Sequence, residues 1–315
     1  MKKLTYLLAV ALWVGVVSCS ESDDTQIDDT PDVPEVPETP GDDPEEPEIE
    51  SVCHWAKRLE VPALKKGNIL HPVVTYEEAV ADSVMTFIYE WDPAKLHIRW
   101  TAFYFDAYTS QHNVKRKDWN GAEFNGVTYS DDPWHVDEYL AESMRTNYEA
   151  NHRNNGFDRG HMVASADRVY SMAANFETFA YSNISPQYAD FNQKYWVQLE
   201  SKVQDWGANR TFCDTLYVCK GATIDNDEDI LKIVKQLPVP KYYYMALMKV
   251  KDGKYSAVGF LMEHDYDGYT SGMSLKPYAM SIDQLEEKTG VDFFHNLEDD
   301  IENDIEKNYQ ESAWF

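Results

Sequence analysis

The chain has 315 residues, of which 43% are hydrophobic and 14% aromatic, and it carries a formal net charge of −27 at pH 7. This composition supplies enough apolar surface for a substantial core. The acidic balance excludes a broad basic surface of the kind that binds nucleic acid by counterion release.

The first segment of the chain is typical of a secretory signal peptide. Residues 1–18 place two lysines before an apolar run that is too short and too poorly flanked for a membrane span. The run ends at VVSC, where small residues precede Cys19 as in a bacterial lipoprotein signal. Ordinary signal cleavage beside an incidental cysteine is the alternative. We expect a lipid on Cys19 that anchors the mature chain in a bacterial cell envelope, outside the cytoplasm, at the outer membrane or cell surface.

Residues 19–52 are predicted to form a disordered, extended tether. Residues 20–51 contain 14 acidic residues, no Lys or Arg, and a proline every few positions. Such a segment repels itself and has almost nothing apolar to bury. Without these acids and the two leader lysines, residues 52–315 keep 41 acidic and 26 basic residues, a charge of −15. We expect residues 53–315 to form a single folded domain that is still acidic.

Cysteines are sparse in this chain, and no CxxC pair occurs, which argues against a zinc site. If the segment between Cys213 and Cys219 is a strand, the two residues lie about 20 Å apart, beyond the roughly 7 Å that separates bridged Cα atoms. A disulfide, if one forms, is therefore expected to join Cys53 to one of them.

Four segments rich in aromatic and β-branched residues are predicted to be strands. They are 97–108, 215–224, 241–250 and 255–264, with a KDGK turn joining the last two into a hairpin.

Helical patterns are fewer. Apolar residues recur at helical spacing over 191–206, where Gly207 is expected to end the helix. A second helix is predicted over 281–290, between an N-cap serine and a terminal glycine. The acidic segment 296–315 is predicted to be a solvated helix or tail with its aromatic end docked. Because strands and helices do not alternate regularly, the pattern favours an α+β fold with a mainly antiparallel sheet flanked by helices.

The segment NNGFDRGHMVASADR, residues 154–168, contains the DRGH sequence of residues 158–161. Taken alone, DRGH is a weak signal, because a histidine beside a charged pair at a strand end is more often structural than catalytic. Two later blocks strengthen it, NISPQ at 183–187 and NQKYWVQLE at 192–200.

These three ordered blocks resemble the DNA/RNA non-specific endonuclease family, and the similarity extends over roughly residues 95–297. The resemblance implies a ββα-metal core, in which two strands and a helix surround the site. It also implies a Mg²⁺-dependent endonuclease, with Mn²⁺ as a possible substitute, that hydrolyses DNA and RNA without sequence preference.

The chemistry suggests roles for three residues. Phosphodiester hydrolysis needs a base for water, a cation for the developing charge and a proton for the leaving 3′ oxygen. His161 suits the base because imidazole titrates near neutrality. The carboxamide oxygen of Asn192 suits Mg²⁺, and the resemblance makes it the direct ligand. Glu200 lies about 12 Å along the helix and 80° around from Asn192, so an indirect contact through water is expected. A plain helix-surface carboxylate is the alternative.

The other residues of DRGH also have expected roles. Arg159 presents a guanidinium beside the base, which suits it to fork onto phosphate oxygens and to stabilise the charge of the transition state. Asp158 is expected to be structural, and a local pairing of Asp158 with Arg159 is the alternative to the phosphate role of that arginine. Gly160 permits a close approach of backbone beside the metal.

Two further site residues are predicted less directly. Asn183 is expected to orient the site by hydrogen bonds, with a turn residue as the alternative. The resemblance implies an upstream arginine at the phosphate, and Arg116 is the best match. Lys115 or Lys117 are possible substitutes, and a basic loop tip without a function is the other interpretation.

The sequence departs from the family in lacking the proline that often follows the histidine; Ala164 and Ser165 stand there. The acidic charge is the larger departure, yet segments 113–117 and 152–168 are locally basic and flank the proposed site. They predict weak, salt-sensitive contact with phosphates. The competing hypotheses are a surface-anchored lipoprotein that binds a glycan or protein through its aromatic residues without hydrolysis, and a degenerate member of the family.

Overall fold

The computed structural model describes residues 54–145, 151–270 and 272–315. The predicted signal peptide, the lipid site at Cys19 and the tether lie outside the described residues. The described part belongs to one compact unit, Val52–Phe315. None of its helices combines the length and apolar character needed to cross a membrane.

A seven-stranded sheet forms the centre of the described chain, and every pair of neighbouring strands in it is antiparallel. The strands in chain order are β1 (Ile69–Glu77), β2 (Asp82–Asp92), β3 (His97–Phe105), β4 (Glu123–Phe124), β5 (Val127–Thr128), β6 (Asp158–His161), β7 (Ile184–Gln187), β8 (Thr215–Ala222), β9 (Ile230–Val234), β10 (Leu237–Pro240), β11 (Tyr242–Lys251), β12 (Lys254–Glu263) and β13 (Ala279–Met280). The order across the sheet is β1-β2-β3-β8-β11-β12-β13, and the pairs β4–β5, β6–β7 and β9–β10 lie apart from it.

The four predicted strands are confirmed as β3, β8, β11 and β12, with ends that differ from the predicted ones by at most three residues. The hairpin between the last two is confirmed as well. Asp252 and Gly253 have φ angles of 51° and 73°. Positive φ at both central residues is the geometry of a two-residue turn whose twist matches the strands it joins.

Within the described residues, the helices that accompany the sheet include α1 (Met172–Glu177), α2 (Val197–Ala208), α3 (Ile282–Thr289) and α4 (Asp299–Lys307). A π-helical turn, Phe191–Trp196, leads directly into α2, so the helix predicted over 191–206 is confirmed in place. The expectation that Gly207 ends it is wrong, because α2 continues to Ala208. A Cβ at Gly207 would lie 2.5 Å from the ring of Phe105, so this glycine allows the helix to approach β3.

The C-terminal predictions are also confirmed. Ser281 caps α3 by accepting a hydrogen bond from the Gln284 backbone N–H at 3.2 Å, and Gly290 ends the helix with a φ of 65°. The acidic segment forms α4, and Trp314 beyond it is buried against Trp206, with ring centroids 5.2 Å apart.

Alternation along the strands divides the core between the two faces of the sheet. One face carries Phe103, Phe105 and Val218, against which Leu199 and Val203 of α2 pack. The other carries Trp100, Ala102 and Cys219, together with Ile282 and Leu285 of α3 and Ile305 of α4. Helix α2 therefore covers one face, and α3 and α4 cover the other.

Both described cysteines are buried and free. Cys213 precedes β8 and Cys219 lies within it. Cys53, the third member of the predicted pairing, lies outside the described residues.

The chain leaves the sheet at the end of β3 and returns to it at the start of β8, its direct neighbour. All the predicted site residues belong to this excursion, residues 106–214. The antiparallel pairing of β3 with β8 therefore holds the two ends of the excursion together at the centre of the domain.

Candidate active site

A short antiparallel hairpin and a helix form the framework of the site. DRGH is strand β6, and it pairs with β7 so that His161 lies opposite Ile184 and Asp158 opposite Gln187. The chain then enters the π-helical turn that carries Asn192, followed by α2 with Glu200. This is the ββα arrangement that the sequence predicts, set within a mainly antiparallel α+β domain.

These elements enclose a cavity of about 940 Å³. The residues singled out in the sequence that line it include Arg116, Asp158, Arg159, His161, Asn192 and Glu200. Both of the predicted basic segments contribute to its wall. Segment 113–117 supplies Lys115 and Arg116, and segment 152–168 supplies Arg153 and Arg159. The cavity is therefore cationic within an acidic domain.

His161 projects from β6 and contacts two aromatic rings. Its centroid lies 5.2 Å from that of Trp134 and 5.4 Å from that of Phe179. The residue as a whole is half-buried, but its Nε2 atom is buried and has no hydrogen-bond partner. Burial lowers the pKa of His161 to about 3, and the charge of Arg116 acts in the same direction. The imidazole is therefore neutral at physiological pH, with a nitrogen available to accept a proton.

The side chain of Asn192 is oriented by a carboxylate. Asn192 Nδ2 donates a hydrogen bond to Asp158 Oδ2 at 3.0 Å, and Gln193 Nε2 donates to the same oxygen at 2.7 Å. Since the amide nitrogen is committed to Asp158, the amide oxygen remains available for a cation. The alternative pairing of Asp158 with Arg159 is wrong, because no ion pair joins the two among the described residues. Asp158 holds two amide groups, in agreement with the structural role expected for it.

Glu200 is engaged in a buried ion pair that the sequence analysis did not anticipate. Lys220 Nζ on β8 lies 2.6 Å from Glu200 Oε1 and 3.4 Å from Asp167 Oδ2. Glu200 is only 9% exposed, which excludes the plain surface carboxylate. Burial raises the pKa of Glu200, and the ammonium of Lys220 opposes that shift. The contact between Glu200 and a bound cation stays a prediction.

Arg159 stacks on an aromatic ring. Its guanidinium carbon lies 3.9 Å from the ring centroid of Trp134. One terminal nitrogen, Nη1, is buried and has no hydrogen-bond partner. The stacking fixes the plane of the guanidinium without using its N–H donors, so these remain available to an anion in the cavity.

Arg116 is held at the cavity by a carboxylate. Its Nε and Nη2 atoms lie 2.8 Å and 2.5 Å from the two oxygens of Asp132. Burial works against the ionised acid, but the hydrogen bond and charge of Arg116 hold the pKa of Asp132 below its usual range. Of the two possible substitutes, Lys115 lines the cavity and Lys117 does not.

Asn183 lies behind the site, where both the oxygen and the nitrogen of its amide are engaged in hydrogen bonds to the backbone. Its Oδ1 accepts from the Val163 backbone N–H at 2.8 Å, while Nδ2 donates to the carbonyls of Val163 and Thr178 at 2.9 Å and 2.8 Å. Asn183 is not among the residues that line the cavity. Asn183 therefore has a positioning role in place of a catalytic one. It holds the backbone of Val163, which lies two residues after His161.

Gly160 permits a close approach, but of a side chain rather than of the metal. A Cβ at this position would lie 2.3 Å from the fully buried side chain of Gln187. The loop that follows, where the family often has a proline, is fixed by Asp167, whose Oδ2 accepts from the Ala164 backbone N–H at 2.9 Å.

The oxygen donors present fit a hard divalent cation. The free amide oxygen of Asn192 shares the cavity with the carboxylates of Asp158 and Glu200. Mg²⁺ prefers oxygen ligands and retains several waters, so one amide oxygen supported by nearby carboxylates is a suitable set.

Sequence reasoning missed three residues of the site: Trp134, Asp132 and Lys220. The first two lie in an irregular segment, Asp131–His135, that has no pattern of its own. A lysine within the apolar strand TLYVCKGA was the one available signal, because a buried lysine requires a carboxylate partner.

Comparison with known proteins agrees with this geometry. A sequence profile of the DNA/RNA non-specific endonuclease family matches residues 74–300. The chain is 25% identical over 187 residues to a nuclease of Syncephalastrum racemosum, covering 55% of this chain and 58% of the relative. It is 27% identical over 158 residues to the mitochondrial endonuclease G of Bos taurus, covering 47% of this chain and 51% of that relative. The chain thus spans roughly half to three fifths of the length of these curated relatives.

A solved structure supports the fold independently. A chain in the crystal structure of the EndoG/EndoGI complex superposes with a TM-score of 0.57 at 19% identity, covering 73% of this chain and 89% of that one. The resemblance drawn from the three sequence blocks is confirmed, and the matched region begins earlier than the predicted residue 95. The chain belongs to the DNA/RNA non-specific endonuclease family.

Proposed function

We propose that this chain is a Mg²⁺-dependent endonuclease that hydrolyses phosphodiester bonds of DNA and RNA without sequence preference. The observation that carries the proposal is one shared cavity lined by His161, Asn192 and Arg159. His161 is neutral and keeps a nitrogen without a hydrogen-bond partner, the Asn192 amide oxygen is free, and one Arg159 nitrogen has no partner. A base, a cation ligand and an anion-binding donor are the three groups that this hydrolysis needs.

His161 would accept the proton of the attacking water. Its low pKa leaves the base form populated at neutral pH. Entry of an anionic phosphate raises that pKa towards the working pH, because a nearby negative charge favours the imidazolium form. The rings of Trp134 and Phe179 restrict the orientation of the imidazole while the substrate binds.

The arginines would bind the scissile phosphate. Arg159 would donate from a guanidinium whose plane is set by Trp134, and Arg116, held by Asp132, would donate from the segment 113–117. Asn192, with Asp158 fixing its amide and Glu200 nearby, would hold the Mg²⁺. The chemistry that a divalent cation supplies at such a site is stabilisation of the negative charge on the phosphate and the leaving oxygen.

The test is digestion of plasmid DNA and of a long RNA by the purified chain, with Mg²⁺ and with EDTA. We expect cleavage of both nucleic acids with Mg²⁺ and none with EDTA. His161→Ala should reduce the rate by about 10²–10⁴-fold while nucleic acid still binds. The matched control is His54→Ala, an exposed histidine outside the cavity, which should keep the parent rate.

A parent chain that binds a glycan or protein but shows no Mg²⁺-dependent cleavage would favour the binding lipoprotein. Cleavage that His161→Ala leaves intact would contradict the assigned base.

We also propose that the enzyme is tethered outside the cytoplasm by a lipid on Cys19, where it would degrade extracellular nucleic acid. The support is the sequence of residues 1–52. The measurement is fractionation of cells that express the parent or Cys19→Ala. Recovery of both in the same membrane fraction would contradict the anchor.

A further inference from the structure

A second group of acidic side chains lies on the sheet face opposite the cavity. Asp283 and Glu286 belong to α3, where a spacing of three residues places them on one side of the helix. Glu306 belongs to α4. One carboxylate oxygen from each of the three residues lies within 4.8 Å of the others.

Glu306 is the unusual member of this acidic cluster. It is only 8% exposed, and its Oε1 atom is buried without a hydrogen-bond partner. A buried carboxylate oxygen normally has a donor or a cation beside it, because stripping it of water is costly. A ligand that is not part of the polypeptide would satisfy it.

No basic group is among the main charges that act on Glu306 in the described part of the chain. Those charges are Glu286, Glu302, Asp283 and Asp292, all of them acidic. Within the described residues, no lysine or arginine forms an ion pair with any member of the cluster. The region therefore groups acidic side chains around a buried, unpartnered oxygen.

We propose that Asp283, Glu286 and Glu306 bind a calcium ion that joins α3 to α4. Calcium–oxygen distances of about 2.3–2.6 Å allow two ligand oxygens on opposite sides of the ion to lie up to roughly 5 Å apart. The 4.8 Å spacing of the cluster fits within this shell. Water would complete the coordination, since calcium takes about six to eight oxygens.

Calcium suits the cluster better than magnesium. Magnesium holds its oxygens at about 2.0–2.1 Å, requires near-ideal octahedral geometry, and is usually bound through one or two carboxylates with several retained waters. Three carboxylates from two separate helices form the more flexible, more charged set that calcium accepts. The Phe293 backbone N–H, 2.7 Å from Glu286 Oε1, fixes the orientation of that carboxylate.

The structural consequence is attachment of the C-terminal helix. Ile305, next to Glu306, packs in the same apolar cluster as Ile282 and Leu285 of α3. An ion bridging the two helices would reinforce this contact and stabilise the folded chain by mass action. The site is independent of the proposed nuclease chemistry, because the sheet separates it from the cavity.

The test is calcium binding by the full chain after treatment with EDTA and dialysis, measured by isothermal titration calorimetry and by the shift of the unfolding temperature. Glu306→Gln removes the ionisable carboxylate with little change of shape. Glu287→Gln, on the exposed side of α3, is the matched control. We expect Glu306→Gln to bind one calcium ion fewer per chain than the parent and Glu287→Gln. Any calcium that binds in the catalytic cavity is common to the parent and both variants, so it does not affect the difference in stoichiometry.

Calcium should raise the unfolding temperature of the parent and of Glu287→Gln more than that of Glu306→Gln. Equal stoichiometry in parent and Glu306→Gln overturns the site, and magnesium binding there at equal affinity overturns the choice of ion. If Glu306→Gln fails to fold, Asp283→Asn provides the same comparison and should weaken calcium binding by about tenfold or more.

Discussion

The cavity and the α3–α4 acidic cluster both place carboxylates in partly buried positions, but they neutralise them differently. In the cavity region, Asp158 accepts from two amides, Asp132 from Arg116, and Glu200 from Lys220. In the cluster, Glu306 has a buried oxygen without any donor. Amide, guanidinium and ammonium groups of the protein are the partners of the cavity carboxylates. The buried oxygen of the α3–α4 cluster requires a proton or a bound ion instead.

A carboxylate can therefore serve in two ways, by positioning another side chain or by acting as a ligand. An acid that is paired with an amide or guanidinium fixes the position of its partner, and the partner then faces the substrate. An acid that is grouped with other acids forms a ligand set. The cavity acids should therefore be sensitive to loss of their partners, and the cluster acids to pH and divalent cations.

The largest effect is expected where a paired charge is most deeply buried. Lys220→Met should destabilise the chain by about 3–5 kcal/mol, because it leaves Glu200 and Asp167 buried without their cation. Urea denaturation monitored by tryptophan fluorescence provides the measurement.

The matched control is Lys251→Met, which removes an exposed lysine paired with Asp214 at 2.8 Å. This change should leave the free energy of unfolding almost unchanged, because solvent screens an exposed ion pair. Adding Glu200→Gln to Lys220→Met should recover part of the loss. Similar stability of the two lysine variants would mean that the buried ion pair does not hold α2 to β8.

Much of the sheet could be predicted from the sequence, since β3, β8, β11 and β12 are long apolar segments bounded by turn residues. The outer strands β1 and β2 were missed. β1 contains Pro72 and a register shift after Val73, so its pattern is interrupted. β2 is buried along most of its length and lacks the alternation that identifies a strand.

The candidate site was predictable only where a motif marks it. His161, Arg159 and Asn192 stand in recognisable blocks, and the structure brings them into one cavity. Lys220 and Asp132 are distant in sequence from the groups they hold, and such pairings depend on the topology of the sheet and the excursion. The alternative pairing of Asp158 with Arg159 failed for the same reason. Arg159 is its neighbour in sequence, whereas its actual partner, the amide of Asn192, is distant in sequence and is brought close by the fold.

An intermediate effect is expected at Asp158. Asp158→Ala frees the amide of Asn192 and should lower the rate by about 10–100-fold, with a weaker apparent affinity for Mg²⁺. Asp158→Asn keeps an acceptor and should recover part of the activity. The measurement is the initial rate of plasmid cleavage as a function of Mg²⁺ concentration, with the unfolding temperature as a check on folding.

Asp190→Ala is the control, because it removes an exposed carboxylate that pairs only with Lys194 nearby. It should behave like the parent. An unchanged Mg²⁺ dependence in Asp158→Ala would mean that the carboxylate does not position the cation ligand.

The last effect is a pH dependence of stability in the acidic cluster. Burial, with the charges of neighbouring acids, raises the pKa of Glu306 from 4.5 to about 8. Burial likewise raises that of Glu286 to about 7, with Asp292, Asp283 and Glu302 contributing. Between pH 4.5 and 8 the folded chain therefore holds protons that the unfolded chain has released. This contribution to stability is complete below about pH 4.5 and is lost as the pH rises through these values.

The unfolding temperature of the calcium-free chain should therefore fall as the pH rises from 5 to 9, by roughly 2–4 °C for each kcal/mol lost. Glu306→Gln should flatten the slope, because the amide cannot ionise, while Glu287→Gln should follow the parent. Calcium should also reduce the slope in the parent, since a bound cation replaces the proton in stabilising the carboxylates. A slope that persists unchanged in Glu306→Gln would assign the pH dependence to other acids, such as Glu177 beside the aromatic residues behind the cavity, whose pKa burial raises to about 7.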